Sequence, residues 1–330
     1  AYWCDVLQQT LAADWRCYEL PGRYFRWRIR GNALSWRQPL TELLQRWQPD
    51  HILATSMVDL ATLRGLVPAL ALVPASYYFH ENQFAYPISA QQHGSVDPMM
   101  VQLYGALSAQ QLLFNSKYNR DSFFAGLETL LQRLPDQVPK GVVKELRARS
   151  AWLPVPVRSI AAKAKTHHSV PLLLWNHRWE YDKQPEGLLQ LLRSLTQPVR
   201  LALLGGRSNK VPDALRQIRR EFADWIVVDD FPSRTDYEAY LAQADVVFSS
   251  AKHEFQGISV LEAVTAGARP LVHDDLCYRE QYPTANRYAP DDFITAAGML
   301  DNWQSLPQVS VEPWLELQAL QSWQHWLAQL

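Results

Sequence analysis

The chain has 330 residues, of which 48% are hydrophobic and 12% aromatic, with 32 basic against 33 acidic groups and a formal net charge of -1. This balance excludes a disordered chain, a collagen and a coiled coil, and the length is typical of two domains. Three cysteines without a CxxC pair support neither a disulfide framework nor a cysteine-rich zinc site. Because no apolar stretch is long enough to span a membrane, we expect a soluble cytoplasmic protein without a membrane partner.

The first half alternates predicted helices with short apolar strands. Helices are predicted at residues 2–13, 39–47, 98–109 and 118–133, and strands at 52–54, 70–73 with 77–79, and 112–115. The chain opens in an amphipathic helical pattern and without a methionine. We therefore expect that a first strand of this half is missing from the sequence.

The second half repeats the alternation more regularly. Strands are predicted at residues 172–175, 199–204, 226–228, 246–249 and 270–272, with helices at 184–194, 212–222, 234–242 and 257–266. This alternation is typical of a parallel sheet covered on both faces, so each half is predicted to be Rossmann-like.

The domain bounds follow from two features of the sequence. Two prolines in Leu153-Pro-Val-Pro-Val157 favour an extended hinge between the halves, and residues 312–330 have the apolar spacing of an amphipathic helix. We predict an N-terminal domain at 1–157, a C-terminal domain at 158–311 and a final helix at 312–330.

Several common catalytic motifs are missing. The sequence contains no GxxxxGK[ST], GxGxxG, HExxH or GxSxG pattern, which argues against P-loop NTPases, dehydrogenases of the usual fingerprint, zinc proteases and serine hydrolases. It also lacks an Asp-x-Asp pair that could hold a cation for a nucleotide-sugar enzyme. We therefore expect no catalytic metal and no bound cofactor.

The strongest candidate site is His253-Glu-Phe-Gln-Gly-Ile-Ser-Val-Leu-Glu262, which follows a predicted strand and opens a predicted helix. Gly257 allows the backbone to approach a ligand closely. The amides of Gly257, Ile258 and Ser259 would lie at a helix N-terminus, where free N–H groups and the helix dipole favour a phosphate.

Two carboxylates flank this predicted phosphate site. Glu262, further along the helix, could accept hydrogen bonds from ribose hydroxyls, and Glu254, ahead of the helix, could hold the hydroxyls of a sugar. The alternative is that Glu262 is an ordinary helix residue and that Glu254 is an exposed loop carboxylate.

Two cations follow the first strand of the second half. Arg178 and Lys183 are five residues apart on one predicted loop, where they could clamp a diphosphate, the arginine through a bidentate fork and the lysine as a point charge. The alternative is a solvated loop in which Glu180 and Asp182 pair with the two cations. After the next strand, Gly206 could let a nucleoside approach or could merely form a turn.

The segment from His253 to Glu262 resembles the motif of retaining nucleotide-sugar glycosyltransferases of family 4. An acidic residue, a Phe-Gly-like turn, an apolar pair and Glu-Ala occur in the same order, and Gly267-Ala-Arg-Pro270 also matches, whereas Gln256 is a departure. The resemblance implies a GT-B fold, an α/β architecture in which two Rossmann-like domains face each other across a cleft. It implies that Phe255 lies beside the donor and that Arg178 and Lys183 contact the donor pyrophosphate.

The first half offers candidate residues for the sugar and the acceptor. His80 directly follows an apolar strand, and the family 4 resemblance implies that it contacts the transferred sugar together with Glu254. A purely structural histidine is the alternative. Glu81 and Asn82 are expected to line the acceptor site. Weaker candidates, at the end of the preceding strand, are Ser56 and Asp59.

Residues 16–37 combine six arginines and several aromatic residues with a single acid, Glu19. Residues 1–157 hold 15 basic and 12 acidic groups, so the basic surplus lies in the first half. Guanidinium groups neutralise phosphates and aromatic faces stack on bases, so this segment indicates RNA binding. A hairpin or loop whose arginine stems cover apolar surface explains the pattern equally well. The residues selected for RNA contact are Arg23, Arg26, Trp27, Arg28 and Arg30.

A narrower resemblance spans nearly the whole chain. The segments that carry it are residues 23–30, 55–60, 79–83, 114–116, 153–157, 175–180 and 253–257, which together resemble the tRNA-queuosine α-mannosyltransferase family. The resemblance implies transfer of mannose, with retention, from GDP-mannose to the cyclopentenediol of queuosine in a tRNA of the tRNA-Asp type. A UDP-sugar donor stays open, since base selectivity depends on loop shape. Two other functions also stay open. One is transfer to a lipid-linked or polysaccharide acceptor, and the other is an inactive RNA-binding protein of the same fold.

Overall fold

The structure is a computed structural model that describes residues 2–86, 95–162, 169–206 and 211–330. The chain divides into two compact units, Ala1–Val155 with Leu320–Leu330, and Pro156–Ala319. Each unit contains one parallel β-sheet with helices packed around it.

The first unit has a four-stranded sheet in the order β1-β2-β3-β4, with every neighbouring pair parallel. Its elements in chain order are α1 Tyr2–Thr10, α2 Phe25–Leu44, β1 Ile52–Thr55, α3 Leu60–Leu66, β2 Ala75–Phe79, α4 Asp97–Leu107, β3 Gln111–Phe114, α5 Lys117–Arg133, α6 Val142–Ala148 and β4 Ser150–Trp152. In this register Thr55 lies beside Tyr78, so the loops after β1 and β2 leave the sheet at the same edge.

Strand β2 lies in the interior of this sheet and all five of its residues are buried. Tyr77 and Phe79 pack with Phe114 and Phe123 in the core, with ring centroids 4.4 Å apart for Phe79 and Phe114. The Tyr77 hydroxyl, which has no access to water, donates to carbonyls in the loop after β1, at 2.8 Å for Val58. The strand therefore buries its aromatic rings without leaving a polar group unpaired.

The structure corrects three predictions for this half. Residues 25–44 form one long helix that contains Pro39, whereas a helix was predicted only from 39 to 47 and the arginine-rich stretch was considered as a hairpin or loop. The strand predicted at 70–73 is wrong, since Pro68–Leu70 forms a short 3-10 helix followed by a turn. Helices α3 and α6 and strand β4 were not predicted.

The second unit has a six-stranded parallel sheet in the order β10-β9-β8-β5-β6-β7. Its elements are β5 Leu172–Trp175, α7 Pro185–Ser194, β6 Arg200–Leu203, α8 Asp213–Glu221, β7 Ile226–Asp229, α9 Arg234–Gln243, β8 Val246–Ser249, α10 Ile258–Thr265, β9 Arg269–His273, α11 Tyr278–Gln281, β10 Arg287–Tyr288, α12 Phe293–Asp301 and α13 Glu316–Leu327. The final helix, α13, starts in this unit and ends in residues of the first.

Strands β5 and β8 are neighbours at the centre of the second sheet, and every residue of both strands is buried. The chain runs outward from β5 through β6 to β7, and then returns to β8 on the other side of β5. This reversal of strand order makes a topological switch point, at which loops diverge and ligands of open α/β sheets bind. The loops that follow β5 and β8 meet there.

Within the described residues, no helix combines the length and the apolar character required to cross a membrane.

Candidate active site

Lys183 and Glu254 meet at the switch point of the second unit. Lys183 lies in the loop after β5 and Glu254 in the loop after β8, and the Nζ atom of the lysine is 3.0 Å from Oε2 of the glutamate. The same Nζ donates to the carbonyl of His253 at 2.8 Å and lies 3.3 Å from a carboxylate oxygen of Asp182. The lysine side chain is only 9% exposed, so it is fixed between two acidic groups.

The pKa values of this pair follow from its burial and its charges. Burial alone would raise the pKa of Glu254, but the Lys183 ammonium, His177 and the hydrogen bond from the Gly257 amide together outweigh it, and the pKa is lowered to about 2. Burial alone would lower the pKa of Lys183, but the Glu254 and Asp182 carboxylates outweigh it and the pKa is raised. Both groups are therefore charged at neutral pH.

Helix α10 begins beside this pair. Gly257 has φ 66° and ψ 42°, a left-handed conformation that a side chain would strain, and its amide donates to the Glu254 carboxylate. The amides of Ile258 and Ser259 follow in the first helical turn, where no helix carbonyl precedes them as an acceptor. The helix therefore directs N–H groups and its positive dipole end toward the switch point, as a phosphate site requires.

Glu262 is held by residues of α9. An oxygen of its carboxylate lies 2.9 Å from Nη2 of Arg234, and the other accepts a hydrogen bond of 3.1 Å from the Tyr237 hydroxyl. Asn176, directly after β5, donates from its side-chain amide to the Tyr237 hydroxyl at 3.0 Å and to the Ser259 carbonyl at 2.8 Å. This network joins β5, α9 and α10 and fixes the carboxylate that was predicted to bind ribose.

The loops after β5 and β6 pack against each other. An added Cβ at Gly205 would lie 1.7 Å from the carbonyl oxygen of His177, so no side chain fits there, and the Gly206 carbonyl accepts a hydrogen bond from the Trp179 amide at 3.0 Å. Arg178, predicted to clamp the diphosphate, has a side chain that is 64% exposed and lies 3.4 Å from Glu180. Glu180 therefore pairs with Arg178, and Asp182 pairs with Lys183, as the alternative prediction stated. The Arg178 side chain nevertheless remains open to solvent.

Phe255, predicted to lie beside the donor, is 4% exposed and packs edge to face with His253 at 4.6 Å. It holds the loop in place from the interior, and its contact with a donor stays a prediction.

In the first unit, His80 follows the last residue of β2. Its ring is half-buried against Trp3 and Tyr78, with centroid distances of 4.7 Å to each. The backbone carbonyl accepts a hydrogen bond from the Asn115 side chain at 2.8 Å. Burial lowers the pKa of His80 to about 4, so the imidazole is neutral at physiological pH.

The other acceptor-side residues mainly shape the loops around His80. The Ser56 hydroxyl donates to the Glu81 carbonyl at 2.8 Å, and the buried amide of Asn82 donates to the Asn119 side chain at 2.9 Å. Asp59 caps the N-terminus of α3 and pairs with Arg30 at 3.1 Å. These contacts bring together the loops after β1 and β2, and direct acceptor contacts by the same side chains stay predictions.

The arginine-rich residues lie at and before the start of α2. Tyr24 is 69% and Trp27 54% exposed, and Arg23 and Arg26 are also exposed, whereas Arg28 is half-buried. An added Cβ at Gly31 would lie 2.5 Å from the Trp27 indole, so this ring lies along the helix over the glycine. The segment therefore presents guanidinium groups and aromatic faces to solvent on one short stretch of chain.

The sequence motifs did not identify four residues of the donor-side network. Asn176 and His177 belong to the same segment as Arg178, so their positions directly after β5 could have identified them as candidate site residues. Arg234 and Tyr237 carry no motif, and only the folded structure brings them to Glu262. Burial, followed by the charge of Lys183, lowers the pKa of His177 to about 3, and its Nε2 lies 2.8 Å from the Ser249 hydroxyl.

No group of three or more His, Cys, Asp or Glu side chains among the described residues is arranged to hold a metal ion.

Comparisons with known proteins bear on both units. Residues 1–157 match the family model described as tRNA-queuosine alpha-mannosyltransferase N-terminal, and residues 158–285 match the model of glycosyl transferases group 1. A tRNA-queuosine alpha-mannosyltransferase of Drosophila melanogaster is 30% identical over 311 residues, which are 90% of this chain and 81% of the relative.

Solved structures agree on the fold. Sucrose-phosphate synthase of Thermosynechococcus elongatus is similar with a TM-score of 0.68 at 15% identity, over 97% of this chain and 82% of that one. Anabaena HepE in complex with UDP-glucose is similar with a TM-score of 0.66 at 13% identity, over 91% of this chain and 84% of that one. The predicted GT-B fold of two Rossmann-like domains is confirmed.

Proposed function

The chain belongs to the tRNA-queuosine alpha-mannosyltransferase family and is a glycosyltransferase, and we propose that it transfers mannose from GDP-mannose to the cyclopentenediol of queuosine in tRNA, with tRNA-Asp as the acceptor. The observation that carries the proposal is the extent of the family match. It covers both the unit that holds His80 and the unit that holds the Lys183–Glu254 pair.

We assign the donor diphosphate to the switch point of the second unit. The exposed Arg178 guanidinium and the amides of Ile258 and Ser259 would bind the phosphate oxygens, with the Lys183 ammonium nearby. When the bond between the sugar C1 and the diphosphate oxygen breaks, negative charge develops on the leaving group. Fixed cations and amides stabilise such charge without rearrangement, which is usually the largest single contribution to catalysis. In this proposal protein groups meet that charge and no metal is required.

Glu262 is assigned to the ribose of the donor. Arg234 and Tyr237 of α9 each contact one oxygen of its carboxylate, and each oxygen retains a lone pair for a hydroxyl donor. A carboxylate that is already fixed loses little rotamer freedom on binding, which favours affinity for the nucleoside.

Glu254 and His80 are assigned to the transferred sugar. The Glu254 carboxylate accepts hydrogen bonds from sugar hydroxyls, and the neutral His80 imidazole can donate from one ring nitrogen and accept at the other. In the proposed retaining course, the acceptor hydroxyl attacks C1 from the face that the diphosphate leaves and transfers its proton to a leaving oxygen.

The acceptor tRNA is assigned to the start of α2. Arg23 and Arg26 would neutralise backbone phosphates, while the exposed faces of Tyr24 and Trp27 are available for stacking on unpaired bases of the anticodon loop. A tRNA acceptor also implies that the protein works in the cytoplasm.

The test uses labelled GDP-mannose with total tRNA from cells that make queuosine and from cells that do not. We expect label only in the queuosine-containing RNA, and none with the Glu254→Gln variant. Unlabelled UDP-glucose in excess should not compete, because the proposed donor is a guanosine nucleotide. Label in a lipid or polysaccharide fraction would overturn the acceptor assignment. Binding of tRNA without any transfer would favour the inactive RNA-binding alternative.

A further inference from the structure

Two aromatic side chains contact the His80 ring and a third packs on both of them, and the three come from separate parts of the chain. Trp3 on α1 meets the imidazole edge to face, with an interplanar angle of 89°, and Tyr78 on β2 meets it at 72°. Trp3 also stacks on Tyr78 with ring centroids 4.8 Å apart. Trp323 on α13 contacts both of these rings, at 5.8 Å from Trp3 and 5.2 Å from Tyr78. We call Trp3, Tyr78 and Trp323 the aromatic enclosure.

Each ring of the enclosure is fixed by burial, a hydrogen bond or both. The Tyr78 hydroxyl donates to the Leu153 carbonyl at 2.8 Å, and the Trp323 indole nitrogen donates to the Pro154 carbonyl at 2.9 Å. Tyr78 and Trp323 are fully buried, and Trp3 is 8% exposed. The enclosure therefore does not rearrange freely around the imidazole.

We propose that Trp3 and Trp323 are positioning residues that hold the His80 ring in the orientation needed for contact with the transferred sugar. Trp3 acts directly on the imidazole, and Trp323 acts through Trp3 and Tyr78. The inference rests on the proposed role of His80 in the transfer reaction.

Two edge-to-face contacts at large angles restrict the rotation of a ring, because aromatic pairs prefer defined relative orientations. A reacting group that is out of place by about 1 Å can lose about 100-fold in rate, so a small rotation of the imidazole would matter. The enclosure also excludes water from one side of the ring. Burial is the cause of the lowered pKa of His80, about 4, and a looser enclosure would relieve it.

The final helix supplies a matched control. Trp326 lies one turn beyond Trp323 and is also buried, but its ring faces His51, at 5.9 Å, and its indole nitrogen donates to Gln111 at 2.9 Å. Burial, followed by the charge of Arg64, lowers the pKa of His51 to about 4. Trp326 meets Trp323 edge to face, with ring centroids 5.4 Å apart, so its effect on His80 would have to pass through Trp323. Two half-buried histidines thus report on two neighbouring tryptophans of the same helix, His51 on Trp326 directly and His80 on Trp323 through the other two rings.

The experiment measures the pKa of His80 by NMR titration in the full chain, with its resonance assigned by loss in the His80→Gln variant. We expect the pKa to rise by about one unit or more in Trp3→Leu and by a smaller amount in Trp323→Leu. In Trp326→Leu the resonance of His51 should shift while that of His80 stays near its wild-type pKa. If one substitution prevents folding, the other still decides the question.

The kinetic arm separates positioning from general destabilisation. We expect Trp3→Leu and Trp323→Leu to lower kcat at least tenfold with the donor KM within about twofold, and Trp326→Leu to leave kcat unchanged. A His80 titration identical to wild type in both enclosure variants would overturn the proposal, as would equal losses of kcat in all three tryptophan variants. The titration requires no transfer reaction, so failure of the proposed function would not be mistaken for failure of this inference.

Discussion

The Lys183 ammonium and the Glu254 carboxylate lie 3.0 Å apart although 71 residues separate them in the chain. Their contact is a consequence of strand order, because β5 and β8 are neighbours in the sheet and the loops after them meet at the switch point. The pair combines the group assigned to the diphosphate with the group assigned to the sugar. Its disruption should therefore affect both stability and catalysis.

Glu254→Gln should lower kcat about 100-fold or more while the protein remains folded, because the amide keeps the shape of the side chain and Lys183 keeps Asp182 as a partner. Lys183→Met should destabilise the fold more, by about 3–5 kcal/mol, since it leaves two acidic groups near the buried site without a cation. Urea unfolding and steady-state kinetics measure the two effects. The exposed pair of Arg193 and Glu221 supplies the control, and Glu221→Gln should change neither quantity measurably. Full activity of Glu254→Gln would contradict the assignment.

Gly205 and Gly206 should respond differently to alanine. A Cβ at Gly205 would lie 1.7 Å from the His177 carbonyl, so Gly205→Ala must displace backbone and should destabilise the protein by about 2 kcal/mol or more. At Gly206 the nearest atom to an added Cβ is 3.7 Å away, on Phe231, so Gly206→Ala should stay within about 0.5 kcal/mol of wild type. If the donor nucleoside packs on this glycine, the same variant should raise the donor KM. Denaturant midpoints and donor titrations test both, and equal destabilisation by the two alanines would contradict the account.

Binding of tRNA should depend on salt through the arginines at the start of α2. Arg26→Gln should weaken tRNA binding and reduce the slope of log K against log salt concentration by about 1, as expected when one phosphate contact is lost. Trp27→Leu should weaken binding by about 1–3 kcal/mol without changing that slope, because stacking releases no counterions. Filter binding over a range of salt concentrations measures both quantities. Arg220→Gln, on the exposed surface of α8 in the other unit, is the control. Unchanged slopes in Arg26→Gln would place the RNA elsewhere.

The fold should lose stability in mild acid because several buried and half-buried histidines are held neutral. Burial lowers the pKa from 6.5 to about 4 for His51, His80 and His253 and to about 3 for His177, with nearby cations contributing at all but His80. Below pH 6.5 the unfolded chain binds protons that the folded chain does not. Stability should therefore fall with decreasing pH down to about 4, by about 1.4 kcal/mol per pH unit for each histidine.

Urea unfolding between pH 7 and pH 5 measures this slope. His177→Gln should reduce the slope of stability against pH by the contribution of one histidine. His325→Asn, on the exposed side of α13, should leave this slope unchanged. A stability that does not change between these pH values would contradict the burial of neutral imidazoles. The Glu254 carboxylate adds a separate loss at lower pH, between 4.5 and about 2, where its native charge is neutralised.

Much of the second unit could be predicted from the sequence because its signals are local. The strand at Leu172–Trp175 is an uninterrupted apolar run. The helix at Ile258–Thr265 follows Gly257, whose left-handed conformation favours glycine. Alternation of such segments was sufficient to predict two Rossmann-like domains. The partner of Lys183 was predicted only in part, since Asp182 is adjacent in sequence and Glu254 is brought close by the order of strands.

The first unit shows where local signals fail. Helix α2 was predicted too short because Gly31 and Pro39 both disfavour helix, whereas the glycine accommodates the Trp27 ring and the helix continues through the proline. The apolar residues 70–73 were predicted as a strand, but Pro68 starts a tight turn there. The aromatic enclosure of His80 could not be predicted, since Trp3 and Trp323 come from opposite ends of the chain.

The most direct test of the proposed reaction is analysis of the nucleosides of purified queuosine-containing tRNA-Asp after incubation with the protein and GDP-mannose. Digestion followed by mass spectrometry should show queuosine converted to a nucleoside heavier by one hexose, with GDP released in equal amount, and Glu254→Gln should leave queuosine unchanged. Unmodified queuosine in the presence of folded wild-type protein, or the same hexose on tRNA that lacks queuosine, would contradict the account.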